Sequence, residues 1–101
     1  MATFILLSTL TDNGAQTIKE DPARILAVNE ELERMGLHVV GQWAVLGQYD
    51  FVNVVEAPDN VTVARVSALL SSRGSVKIMT LPAIPIAEFI DGFHHNHEVK
   101  R

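Results

Sequence analysis

Apolar and polar positions divide the chain into segments of two different periods. Phe4 to Leu10 is an apolar, β-compatible run that stops at the turn cluster Thr11-Asp12-Asn13-Gly14. Ala15 to Glu20 reads as a short helical turn, and Asp21-Pro22 as an N-cap followed by proline at the first helical position. From Pro22 to Met35, the apolar residues Ile25, Val28, Leu32 and Met35 recur in steps of three and four, which marks one helical face. Glu30, Glu31, Glu33 and Arg34 take the solvent side, and Gly36 suits a left-handed C-cap. Leu37 to Leu46 predicts a second strand, Gly47-Gln48 a tight turn, and Tyr49 to Glu56 a third strand, together an antiparallel hairpin. Ala57-Pro58-Asp59-Asn60 ends that strand and caps a helix over Val61 to Arg73, which Gly74 stops. Val76 to Leu81 predicts the fourth strand. Pro82 and Pro85 follow, then a short amphipathic turn with Phe89 and Ile90.

The order is β-α-β-β-α-β. It predicts an α+β, ferredoxin-like split βαβ fold: a four-stranded antiparallel sheet with two helices on one face. One domain spans residues 1–93, including a C-terminal extension from about residue 83, and residues 94–101 form a polar tail. Strand alternation adds a constraint. Phe4 and Leu6 point one way and Ile5 and Leu7 the other, and the third and fourth strands are likewise apolar on both sides. Two helices cover one face only. The other would be an apolar patch larger than monomers normally expose. A second copy packed face to face satisfies it, so the sequence predicts a homodimer with a shared barrel-like core, open to further assembly.

Composition narrows the rest. Of 101 residues, 48% are hydrophobic, which fits the need for a second cover. No cysteine is present, so disulfides and thiolate sites are excluded. A net charge of −4 with scattered basic residues argues against nucleic acid as a partner. The N-terminus has no basic region before its short apolar run, and no segment approaches a membrane span, so a cytoplasmic protein is expected. No phosphate loop, nucleophile elbow or His-Glu-x-x-His pattern occurs, and no cofactor is expected.

The segments FILLSTLTDNG, GLHVVGQWAVLGQYDFVNVVEAPD and SVKIMTLPAI resemble the GYD-domain family of the dimeric α+β barrel superfamily. The signature before the third strand is spread here as Gly47-Gln48-Tyr49-Asp50. The resemblance covers about residues 3 to 90 and implies an oligomeric ferredoxin-like subunit. It implies no reaction, because related folds host oxygenases, isomerases and effector-binding modules.

Four residues are candidates for a ligand site between sheet and helices: Trp43, Tyr49, Asp50 and Asn53. Ordinary turn chemistry accounts for most of Gly47 to Asp50, but turns rarely require a tyrosine. Trp43 should share a strand face with Val39, Gly41 and Val45, and Gly41 leaves space that a planar ligand or a neighbouring side chain would fill. Asn53 lies mid-strand among apolar residues and needs partners, with Ser8 and Thr9 the nearest candidates; a satisfied polar pair is the simpler reading and a ligand-orienting amide the sharper one. Asp50 and His38 are the candidate bases should the protein be an enzyme of monooxygenase or isomerase type. His94, His95 and His97 could meet a metal, but their spacing matches no closed site, so a plain polar tail is the simpler reading. The expected function is therefore a homo-oligomeric small-molecule-binding or assembly module, with the enzyme as alternative.

Overall fold

The computed structural model of the protein describes residues 1–96. Eight elements follow in order: β1 (Ala2–Leu10), α1 (Asp12–Glu20), α2 (Arg24–Arg34), β2 (His38–Ala44), β3 (Phe51–Ala57), α3 (Asn60–Ser72), β4 (Val76–Ala83) and α4 (Ile86–Asn96). The four strands form one antiparallel sheet in the order β2-β3-β1-β4. This is the ferredoxin-like arrangement that the element order predicts. Helices α1, α2 and α3 lie over one face of the sheet. The core there joins Phe4, Leu6 and Val55 of the sheet to Leu32 of α2, Leu37, and Val63 and Val66 of α3.

The first crossover differs from the sequence expectation. Residues 12–20 form a full helix, because Thr11 acts as its N-cap and accepts from the Gly14 N–H at 3.1 Å. Thr11 also ties this helix to the turn before β4. Its N–H donates to Ser75 O at 3.0 Å and its hydroxyl to Gly74 O at 2.7 Å. Asp21 closes α1, its N–H donating to Thr17 O, instead of opening α2. Helix α2 starts at Arg24 without a side-chain cap. Helix α3 is capped as predicted: Asp59 accepts from both the N–H and the hydroxyl of Thr62 at 2.8 Å. Gly36 and Gly74 end their helices at φ 94° and 81°.

The hairpin is looser than a two-residue turn. β2 ends at Ala44 and β3 starts at Phe51. Between them Val45 N donates to Asp50 O at 2.9 Å, and Gly47 takes φ 122°. Strand β4 runs on through Pro82, which an edge strand tolerates because no neighbour needs its missing N–H. α4 then leads away from the sheet with Ile86, Phe89, Ile90 and Phe93 exposed.

A bulge in β2 decides which residues face where. Val39 pairs with Val55, but Gly41 pairs with Val54, so Val40 is the extra residue. The shift keeps Val39 on the helix face and turns Gly41 and Trp43 to the open face. The uniform alternation expected for Val39, Gly41 and Trp43 does not hold. Register then defines two apolar rows across the open face: Gly41–Val54–Ile5–Leu81 and Trp43–Val52–Leu7–Met79.

Gly14 shows how closely α1 is seated. A Cβ there would stand 2.0 Å from Ser75 O, a backbone atom that cannot swing aside. Gly14→Ala is expected to lower the unfolding free energy by about 1–3 kcal/mol. Chemical denaturation of the two proteins side by side checks this.

Candidate functional site

The sequence-derived candidates fall on opposite sides of the sheet. Trp43 lies on the open face of edge strand β2 and is 54% exposed. Its ring folds back over Gly41: a Cβ on Gly41 would come within 2.5 Å of Trp43 Cη2. The space that Gly41 leaves is therefore taken by the indole itself. The Tyr49 hydroxyl reaches Met79 Sδ at 3.6 Å, and Met79 is the β4 end of the Trp43 row. Trp43 and Tyr49 thus belong to the same apolar surface as Met79.

Asp50 works on the backbone. Its Oδ2 accepts from Leu10 N at 2.8 Å, and its own N–H donates to Ser8 O at 2.8 Å. These bonds join the end of β1 to the start of β3. His38 sits at the exposed start of β2, with Nδ1 2.9 Å from Glu33 Oε2. Glu33 also accepts from Val39 N at 3.2 Å, which fixes the corner between α2 and β2. Residues five apart across such a corner carry no sequence signal of contact. His94 lies on α4. The His95 side chain and His97 fall outside the described residues. Among those described, no group of three potential ligands could hold a metal ion.

Asn53 alone of the four ligand candidates faces the space between sheet and helices. That space is a partly open cavity of about 150 Å³ between the inner face of the sheet and α1, α2 and α3. Its wall is mainly aliphatic, with Leu6, Ile25, Val28 and Ile78 among the contributors. Ser8 and Asn53 are its buried polar groups, 6% and 9% exposed. Ser8 follows Phe4 and Leu6 onto the inner face by the alternation of β1, whereas the inner-face place of Gln42 is visible only once the β2 bulge is known.

The inner row Gln42–Asn53–Leu6–Thr80 explains the state of Asn53. Gln42 and Asn29 exchange both amide bonds, Asn29 Nδ2 to Gln42 Oε1 at 2.8 Å and Gln42 Nε2 to Asn29 Oδ1 at 3.1 Å. The Thr80 and Ser67 hydroxyls are 3.0 Å apart. Each flanking polar group has found a helix partner. Asn53 has not: its Oδ1 is buried and accepts no hydrogen bond from any described residue. The satisfied pair that the sequence suggested does not form: Ser8 shares the inner face but makes no hydrogen bond to Asn53 Oδ1, and Thr9 faces the other side of β1.

Charge at the helix ends is structural. Glu31 of α2 accepts from both terminal nitrogens of Arg73, which follows α3. The Arg73 hydrogen bonds hold the Glu31 carboxyl below its ordinary value of 4.5, and the Thr62 N–H and hydroxyl do the same for Asp59, whose ordinary value is 3.8. The Glu31 bond in turn pushes the Arg73 guanidinium up.

Residues 4–92 match the family described as GYD domain. A Thermus thermophilus protein is 65% identical over 91 residues, a span that covers 89% of this chain and 96% of the relative. That relative carries the name glutamine synthetase and cystathionine beta-lyase binding protein.

Two outcomes are expected. Asp50→Ala should cost about 1–3 kcal/mol by stranding Leu10 N, and Asp50→Asn, which keeps an acceptor, should recover most of it in denaturant titrations. Because both lowered carboxyls favour the fold when ionised, their contribution is full above the unfolded values and fades as pH falls through the lowered folded ones. The melting temperature should therefore drop on acidification below 4.5, and Glu31→Gln should flatten part of that slope.

Proposed function

The chain belongs to the GYD-domain family, and we propose that it is a homo-oligomeric binding module that docks on metabolic enzymes. The observation that carries this reading is the uncovered apolar band of the sheet. The rows Gly41–Val54–Ile5–Leu81 and Trp43–Val52–Leu7–Met79 lie side by side with no helix over them. Trp43, Met79 and Leu81 are exposed in the single chain. A contiguous apolar surface across four strands marks an interaction site. A second copy brings an identical band, and face-to-face packing by a two-fold axis covers both at once. The helix α4 stripe of Ile86, Phe89, Ile90 and Phe93, with Phe89 and Phe93 stacked edge to face at 5.1 Å, adds apolar surface for the same assembly.

The partner class comes from the relative, whose name gives two enzymes as its binding partners. Glutamine synthetase and cystathionine beta-lyase are the first proteins to try with this chain. The reading places it in the cytoplasm with such enzymes, and no helix among the described residues is long and apolar enough to cross a membrane. The cavity between sheet and helices supports a small molecule as part of the same function, bound within each subunit. The two candidate bases support catalysis less well: Asp50 holds backbone, and His38 lies in an exposed contact with Glu33 away from the cavity wall.

Sedimentation at micromolar concentration should give a dimer or a multiple of it. Leu7→Lys, which puts a charge at the centre of the band, should give a folded monomer and lose binding to whichever purified enzyme the parent protein captures. A parent protein that sediments as a stable monomer would remove the sheet-to-sheet assembly.

A further inference from the structure

We propose that the cavity between the sheet and α1–α3 binds a small, largely apolar molecule bearing one O–H or N–H group, and that Asn53 Oδ1 accepts that group. The inference deepens the small-molecule part of the function proposed above and rests on it; sheet-to-sheet assembly is independent of it.

Two observations converge. The first is the acceptor. Asn53 is 9% exposed, its Oδ1 is buried, and it accepts no hydrogen bond from any described residue. A carbonyl oxygen left this way bears its full desolvation cost, which native proteins avoid or put to use. Its neighbours in the same cross-strand row cannot help. Gln42 is held by Asn29 through both atoms of its amide, and Thr80 by Ser67. Among the described residues no donor reaches Asn53 Oδ1, the Ser8 hydroxyl of the same wall included.

The second observation is the cavity itself. About 150 Å³ is room for a molecule of benzene size. Leu6, Ile25, Val28, Leu32, Phe51 and Ile78 supply an apolar wall. Water filling such a space would need two to four polar partners for each molecule; Ser8 and Asn53 are the buried polar groups of the wall, and Thr17, Ser75, Arg24 and Arg73 lie toward its rim. An apolar body with a single donor matches this wall better: the body replaces water against the aliphatic side chains, and the donor meets Oδ1. A cation does not match, because Arg24 and Arg73 also line the cavity.

Phenol and toluene are nearly the same shape and differ in the donor, so they test the assignment directly on the full chain by calorimetry and thermal shift. A dry apolar cavity prefers toluene, because the phenol hydroxyl would lose its water without compensation. Here phenol is expected to bind at least as tightly as toluene. Asn53→Leu should weaken phenol roughly tenfold and leave toluene within about twofold, and a crystal of the phenol complex should place the hydroxyl within hydrogen-bond distance of the Asn53 side chain. If Asn53→Leu fails to fold, the order of the two probes on the parent protein and the phenol complex decide the matter alone. Toluene binding with phenol rejected, or phenol seated away from Asn53, would overturn the donor class and the role of Asn53 while leaving a pocket. Neither probe binding at millimolar concentration, with only water on Asn53 in the crystal, would overturn the inference together with the small-molecule part of the function.

Discussion

A sheet that is apolar on both faces and has helices on only one sets the terms for this fold. On the covered side the strands contribute Phe4, Leu6 and Val55 to a core closed by α2 and α3. On the other side Ile5, Leu7, Val52 and Val54 are just as apolar and meet no helix. Hydrophobic burial favours removing that second surface from water in proportion to its area. Each strand therefore presents two apolar faces. One lies in the core of the chain and the other is the face that the proposed assembly would cover.

The polar exceptions within this pattern are where the structure is most informative. Glu33 fixes the α2–β2 corner, Asp50 joins β1 to β3, and Thr11 seats α1 on the turn before β4. All three place a side-chain oxygen on backbone or near-backbone groups that the sheet and helices leave open. Asn53 is different, because it lines a cavity and its buried oxygen meets no donor among the described residues. The same inner row shows that the fold can satisfy such groups, as it does for Gln42 and Thr80. The unpaired Asn53 beside them is the observation on which the proposed recognition role rests.

Much of this was legible from the residues. The steps Ile25, Val28, Leu32 and Met35 marked the buried side of α2, the Asp59 cap and Gly74 stop framed α3, and the double-sided apolar strands exposed the covering problem. What escaped depended on contacts between distant segments. The Val40 bulge is a register shift against β3, and nothing in HVVGQWA alone reveals it. It moved Gly41 and Trp43 to the face opposite Val39. That shift separated Trp43 from Asn53, which the sequence had placed around one ligand. The Thr11 cap turned a predicted turn cluster into the start of α1, because Thr11 gains partners in Gly74 and Ser75 more than 60 residues later.

Trp43, the single tryptophan, lies at the end of one apolar row and would report directly on the proposed sheet-to-sheet interface. In a lone chain it is 54% exposed. The decisive measurement is its fluorescence emission and quenching by acrylamide across a dilution series. Sheet-to-sheet assembly requires a blue-shifted, quencher-protected indole at micromolar concentration that turns red-shifted and accessible as the oligomer dissociates. An indole that emits as water-exposed and is freely quenched at every concentration would contradict it.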